Sequence, residues 1–166
     1  MEEVMKKKEK KIGIIMAVIM SAAMGIIASV VIAGNPAAKI PPFPVFCAVN
    51  LVESIIAGLL VALFIPLGKI GKSLTDKANA VPPSMKFNLI NSIPMAIGNS
   101  VIVSAVVSFI NVAQAHASIP SDQAPPLIAM WLSGWLPLLI PGIVISYLLA
   151  VIISPLVVGM VMRRDQ

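Results

Sequence analysis

The sequence predicts an all-α integral membrane protein with four transmembrane helices, and three observations carry this prediction. Of the 166 residues, 58% are hydrophobic and 11% are charged, whereas charged residues make up about 25% of an average soluble domain. The apolar residues form four long runs, each long enough to cross a bilayer, for which ~20 residues are needed. Basic residues collect at alternate ends of these runs, as they do in proteins that they orient in a membrane.

Charge and hydropathy divide the chain into five segments, and no polar segment is long enough to form an aqueous domain. The segments are a basic cytoplasmic tail (1–11), a first two-helix membrane unit (12–70), a cytoplasmic loop (71–86), a second two-helix membrane unit (87–162) and a short cytoplasmic end (163–166). The lipid bilayer is therefore the first partner that the sequence predicts.

The first apolar run covers residues 12–34 and contains no charge. It follows the basic stretch KKKEKK, but it is longer than the roughly 7–15 apolar residues of a secretory signal peptide, so an uncleaved membrane helix is expected. Small residues recur at every fourth position of this run. They are Ala17, Ser21, Gly25, Ser29 and Ala33. Such spacing lets helix backbones approach closely and predicts a packing face, within the chain or between protomers.

The second run covers residues 45–68 and carries Asn50 and Glu53 on one helical face. Glu53 lies eight residues past Val45, or ~12 Å along a helix, and is therefore expected within the hydrocarbon. An ionisable residue there costs about 2.5–3.5 kcal/mol on insertion scales, and the apolar surroundings favour its neutral form. Two roles are open for Glu53: a proton or cation site, or a protonated carboxyl that joins two helices by a hydrogen bond.

The third run covers residues 87–112 and has a stripe of polar residues on one helical face. The stripe consists of Asn88, Asn91, Ser92 and Asn99. It could line a polar path, or it could form hydrogen bonds between helices. Asn99 is the deepest member and is expected to pair with Glu53.

The fourth run covers residues 127–162 without a charge. At ~1.5 Å per residue a helix of this length would measure about 54 Å, far more than the roughly 30 Å of the hydrocarbon core. Pro137 and Pro141 are expected to break it into an outer half-helix and a span from about 138 to 161. Trp131 and Trp135 lie on one face beside this break and are expected to anchor the helix at the headgroup level.

The positive-inside rule places both termini and the middle loop in the cytoplasm. Eleven basic residues lie on that side, against Lys39 alone on the other. The eleven are Lys6, Lys7, Lys8, Lys10, Lys11, Lys69, Lys72, Lys77, Lys86, Arg163 and Arg164.

An internal repeat of the two-helix unit is also predicted. At an offset of 75 residues the first and third runs share four identities, which are Lys11/Lys86, Met20/Met95, Ser29/Ser104 and Val31/Val106. The second and fourth runs each follow a Pro-Pro pair and contain a late Pro-Leu pair. Two-helix units in this order form a parallel repeat, related by an axis along the membrane normal.

The fourth run also supports a resemblance to a known family. It shows spaced tryptophans, then prolines, then a Pro-Leu pair and a basic end, at Trp131, Trp135, Pro141, Pro155, Leu156, Arg163 and Arg164. This order resembles the second helix of small two-helix bacterial membrane proteins known as a domain of unknown function. In the first half, Phe46 and Asn50 replace the tryptophans, and Glu53 is additional. The resemblance implies a tandem pair of such units in a bacterial membrane, and no activity.

Chemistry based on a metal, a cofactor or a catalytic set is not predicted. One cysteine, Cys47, and one histidine, His116, cannot form a Cys- or His-based metal site within one chain. The net charge of +5 is accounted for by topology, so nucleic acid is not expected as a partner. Two classes of function remain: a non-enzymatic membrane protein with a partner-binding, structural or regulatory role, or a small proton- or cation-coupled transporter or channel acting as a homo-oligomer.

Overall fold

The computed structural model describes residues 2–35, 38, 40–82, 84–120 and 122–163, with side chains for all of these except 2, 4–6 and 163. These residues form five α-helices: α1 (Glu2–Ala33), α2 (Phe43–Phe64), α3 (Leu67–Lys77), α4 (Met85–Ala117) and α5 (Leu127–Arg163). Four of them are long and apolar enough to cross a membrane, with spans at Lys7–Ala33, Phe43–Phe64, Met85–Ala117 and Leu127–Met162. The predicted all-α class is thus confirmed, together with four helices that are candidate membrane spans. Lys39, Arg164 and the end of the chain at 164–166, which entered the prediction of topology, lie outside the described residues.

Helix α3 occupies residues 71–77 of the segment 71–86 that was expected to be a loop. Pro66 has no N–H group and disfavours helical backbone at the residue before it, and Ile65 is indeed extended, with φ −111° and ψ 117°. The chain turns there, and the N–H of Leu67 donates to the Ile65 carbonyl. Helix α3 then runs on to Lys77 with Gly71 and Thr75, four residues apart, buried on one face.

The predicted break in the fourth run is wrong, because α5 continues through Pro137, Pro141 and Pro155. Neighbouring helices and hydrogen-bonding side chains allow prolines inside membrane helices. Here the indole N–H groups of Trp131 and Trp135 both donate to α4. These bonds hold the first turns of α5 along α4.

The helices form two antiparallel hairpins, α1–α2 and α4–α5, that pack against each other. Helix α1 contacts α2, α4 and α5, whereas α3 packs on the first half of α4. Two buried apolar clusters fill the interior. One contains Met16, Met20, Ala96, Ala150, Val157 and Val161, and the other contains Met24, Ala28, Ala57, Val103, Val107 and Leu138.

Candidate functional site

The side chain of Asn50 is the centre of a buried hydrogen-bond network that joins three helices. Its Nδ2 donates to Ser29 Oγ of α1 over 3.0 Å, and its Oδ1 accepts from Asn111 Nδ2 of α4 over 2.7 Å. Ser29 Oγ donates in turn to the Gly25 carbonyl, and Asn111 Nδ2 also donates to the Val107 carbonyl. We call Ser29, Asn50 and Asn111 the Asn50 network. Because it satisfies both polar atoms of the Asn50 amide, this side chain can lie fully buried in hydrocarbon.

Close packing of α1 on α2 brings these groups within reach. A Cβ atom added to Gly25 would lie 2.8 Å from the Asn50 carbonyl oxygen and 2.9 Å from Leu51 Cα. A Cβ atom added to Gly58 would lie 2.6 Å from Ser21 Cβ. The small-residue face of α1 therefore lies against α2 of the same chain, where Ala17, Ser21, Gly25 and Ser29 are all buried.

A second polar contact lies deeper in the bundle, between α1 and α4. Ser21 Oγ donates to Asn99 Oδ1 over 3.2 Å, and Asn99 Nδ2 is buried without a hydrogen-bond partner among the described residues. Asn99 was expected to pair with Glu53, and that expectation is wrong. The two belong to different levels of the bundle: Ser21, which binds Asn99, lies against Gly58, five residues or ~7.5 Å beyond Glu53 along α2.

Three buried polar atoms have no hydrogen-bond partner among the residues that the structure describes: Glu53 Oε2, Asn99 Nδ2 and Ser146 Oγ. Of these three residues, Glu53 lies on α2. Three residues separate it from Asn50, so its side chain is turned about 60° around α2 from that network. It borders an open groove of about 550 Å³ on the outside of α2. The other lining residues are Pro44, Val45, Ala48, Val49 and Val52.

The remaining asparagines of the predicted stripe lie near the first turns of α4. Asn91 packs against α3: a Cβ atom added to Gly71 would lie 2.9 Å from the Asn91 carbonyl oxygen and would also meet its side chain. Asn88 and Asn91 are both partly buried. The structure therefore divides the stripe between two contacts, since Asn99 faces α1 and Asn91 faces α3.

Trp131 and Trp135 form an aromatic cluster between α4 and α5. Their rings stack with centroids 5.2 Å apart, and Phe109 meets Trp131 edge-on at 5.8 Å. Trp131 Nε1 donates to the Ala105 carbonyl over 3.1 Å and Trp135 Nε1 to Ser104 Oγ over 2.9 Å. Both indole donors are thus used within the chain, and their anchoring at headgroups stays a prediction.

Asn111 is the one member of the network that sequence reasoning missed. It lies twelve residues after Asn99, which places it about 120° around the helix and outside the predicted stripe. The signal that could have identified Asn111 was its position along the third run. In an antiparallel arrangement an asparagine near the end of the third run lies level with one near the start of the second.

No group of three His, Cys, Asp or Glu side chains that could hold a metal ion occurs among the residues that the structure describes. Comparison of the chain with protein-family models, with curated proteins and with solved structures finds no match. The fold and the site therefore establish only the class of the protein, which is a multi-pass membrane protein with four candidate membrane helices.

Proposed function

We propose that this chain is a non-enzymatic membrane protein that binds another membrane helix through the outer face of α2, with Glu53 as the polar contact. The observation that carries the proposal is the buried, unpartnered Oε2 of Glu53 beside the fully bonded Asn50. In hydrocarbon a polar group gains most from a hydrogen bond with a second helix. A partner helix with a donor or acceptor at this depth would supply that bond.

The shape of α2 supports this proposal. We define its outer face by six exposed apolar residues, which are Val45, Val49, Val52, Ile56, Leu60 and Leu63. Their spacing of three and four residues makes one continuous helical stripe, and Glu53 lies at its edge. The stripe alone would suit lipid equally well. Glu53 is the feature that favours a protein partner, which is either another membrane protein or a second copy of this chain.

The small-residue face of α1 is not available for such a partner, because α2 of the same chain already covers it. A homo-oligomer or a heteromeric complex would therefore form at α2.

We further propose that both termini and the segment 71–86 lie in the cytoplasm, as in a cytoplasmic-membrane protein of bacteria. The eleven-to-one distribution of basic residues supports this orientation. Lys69, Lys72 and Lys77 of α3 are all exposed at the end of the molecule where α1 begins.

Cysteine cross-linking in native membranes tests the proposed contact. In a Cys47→Ser background, Val49→Cys on α2 is compared with Val144→Cys on α5, which has a similar exposure of about half. We expect a cross-linked product of the chain with its partner from Val49→Cys and none from Val144→Cys. Adding Glu53→Leu should lower the yield about tenfold, since one hydrogen bond between membrane helices is worth roughly 1–2 kcal/mol. Equal yields from both cysteines, or no effect of Glu53→Leu, would overturn the proposal.

A proton- or cation-coupled transporter is the second candidate, and the open groove beside Glu53 favours it. A carboxyl that borders a groove can exchange protons in a way that a sealed one cannot. Four helices enclose little volume, so the path would run between copies of a homo-oligomer. Flux of protons or monovalent cations into proteoliposomes distinguishes the two candidates. Transport requires that Glu53→Gln abolishes flux, whereas helix binding requires that the same variant, which can still form a hydrogen bond, keeps most of its cross-linking.

We also infer that the two hairpins arose by duplication of a two-helix unit, as the resemblance implies. Ser29 and Ser104 are equivalent at the offset of 75 residues, and Asn50 and Trp135 occupy matching places in the second helices. Ser29 bonds Asn50, and Ser104 bonds Trp135, so matching positions make matching contacts. A chain divided between residues 79 and 84 tests this inference. The two co-expressed halves should reassemble, and halves that never associate would contradict it.

A further inference from the structure

The break between α2 and α3 leaves a second groove, distinct from the one beside Glu53. It has a volume of about 220 Å³ and opens between the last turns of α2 and the middle of α4. Its lining is apolar and includes Ala57, Val61, Phe64, Ile65, Ile102 and Val106.

The packing of α3 explains why this groove is open. Leu67 lies against Gly98 of α4, and Gly71 lies against Asn91, so α3 continues along α4 after the turn at Pro66. The turn at Pro66 interrupts the contact with α4, so α2 and α4 are separated by the groove in the residues that precede Leu67. Val106 is consequently 39% exposed and Phe64 is 80% exposed.

The dimensions of the groove match one leaflet of a bilayer. From Ala57 to Ile65 is eight residues, or ~12 Å along a helix, while half of the hydrocarbon core measures roughly 15 Å. The apolar run ends at Gly68, and Lys69 and Lys72 lie four and seven residues past Ile65, or ~6 and ~10 Å at the helical rise. Both lysines are exposed.

Charge favours an anionic headgroup at this end of the groove. Helix α3 carries Lys69, Lys72 and Lys77 against one carboxylate, Asp76. Lys86 is engaged elsewhere, since its Nζ donates to the Ala78 carbonyl at the end of α3 over 2.6 Å. Lys69 and Lys72, nearest to the groove, are therefore the ammonium groups available to a phosphate.

We propose that the groove and these two lysines form a binding site for one anionic phospholipid. An acyl chain lies between α2 and α4 against Val106, Ile102 and Phe64, and the phosphate contacts Lys69 and Lys72. The site does not involve Glu53, and Leu60 is the one residue of its lining that also belongs to the outer face of α2. Because the bound chain would fill the space left at the turn, it would also brace α2 against α4.

Native mass spectrometry of the purified full chain tests the site, with phosphatidylglycerol and phosphatidylcholine of the same acyl composition as the added probes. We expect one retained lipid and a preference for phosphatidylglycerol of roughly 30-fold, which is the combined contribution of two lysines near a headgroup. Lys69→Gln with Lys72→Gln should abolish this preference and leave weak binding of both lipids. Val106→Phe, which fills the groove, should weaken retention of both lipids at least tenfold.

Two matched variants serve as controls. Lys77→Gln removes a lysine of the same helix farther from the groove, and Leu148→Phe enlarges a lipid-exposed residue of α5; neither should change retention more than about twofold. Val106→Ala, which widens the groove without adding bulk, should keep the bound lipid and covers the case in which Val106→Phe does not fold. If the double lysine variant retains phosphatidylglycerol as well as the natural chain does, with the same preference over phosphatidylcholine, the assignment of an anionic headgroup is overturned. Retention unchanged in Val106→Phe would overturn the site.

Discussion

The two hairpins of this protein have the same architecture but hold their helices together differently. In the α1–α2 hairpin, glycines bring the backbones into contact, and the Asn50 network bridges them. In the α4–α5 hairpin, the stacked Trp131 and Trp135 rings lie between the helices and donate to α4. In both hairpins a side chain of the second helix, Asn50 or Trp135, donates a hydrogen bond to a serine of the first helix, Ser29 or Ser104.

This difference shows two ways of joining helices where the solvent is itself apolar. Lipid provides little hydrophobic drive for helices to associate, so packing and hydrogen bonds must provide it. Small residues maximise close contact, whereas large aromatic rings supply their own contact area and a donor. The first way leaves no room for added atoms, and the second tolerates more variation.

The hairpins also differ at the residue that comes three positions after Asn50 in one and after Trp135 in the other. Leu138 follows Trp135 and is fully buried among apolar residues. Glu53 follows Asn50 and lies at the edge of a groove on the outer side of α2 with an unpartnered oxygen. At this place the α4–α5 hairpin contributes an apolar side chain to the core that both hairpins share, whereas the α1–α2 hairpin presents a polar group beside its outer face.

Placing a carboxyl at position 138 and a leucine at position 53 should give the largest difference in the free energy of unfolding. Leu138→Glu should destabilise the chain by about 3 kcal/mol, because it puts a carboxyl into a sealed apolar core. Glu53→Leu should leave the isolated chain at least as stable as the natural one, since it removes an unpartnered polar group. The measurement is the free energy of unfolding in mixed micelles titrated with sodium dodecyl sulfate. A large loss of stability in Glu53→Leu would show that Glu53 has a structural partner within the chain.

Adding one methyl group should then separate the two hairpins. Gly25→Ala should cost about 2 kcal/mol, because backbone atoms of α2 lie within 3 Å of the new Cβ. Gly134→Ala in α5 should cost less than about 1 kcal/mol, since its nearest neighbour, Val112 Cγ2, is 3.3 Å away. Gly159→Ala is the control, with no atom of the described residues within 4 Å. Equal losses of unfolding free energy at Gly25 and Gly134 would contradict the proposed difference in packing.

Double-mutant cycles should show the smallest effects and compare the two serine bonds directly. For Ser29→Ala with Asn50→Ala we expect a coupling energy of about 1 kcal/mol, and for Ser104→Ala with Trp135→Phe about 0.5 kcal/mol, within the range known for membrane helices. The first bond is fully buried, whereas Trp135 is partly exposed. The coupling energies come from unfolding free energies of the four chains in each cycle. A coupling near zero at Ser29 and Asn50 would mean that the close backbones, and not the network, hold the first hairpin.

Composition and run lengths were enough to predict the four membrane helices, because a bilayer demands about 20 apolar residues for each crossing. Sequence reasoning failed at the prolines, because a proline can either end a helix or lie within one. Pro66 ends a helix, but Pro137, Pro141 and Pro155 do not. A proline removes one hydrogen-bond donor in every case, and the neighbouring helix determines whether the chain continues.

The candidate site was predictable in part. Asn50 and Glu53 were recognisable as polar residues within an apolar run, and Ala17, Ser21, Gly25 and Ser29 as a packing face. The partners were not predictable. Asn50 bonds Ser29 and Asn111, and Asn99 bonds Ser21, because these pairs depend on the register between helices.

The sequence by itself determined the class of this protein, the number of its membrane helices and the positions of its polar groups along them, since the cost of burying polar atoms in hydrocarbon acts on each residue separately. Only the tertiary structure decided that α3 packs on α4, that α5 is unbroken, and that Asn50 is satisfied while Glu53 Oε2 is not. Those outcomes depend on which helix faces which, and at what depth. That is set by the packing of whole helices and not by any one segment.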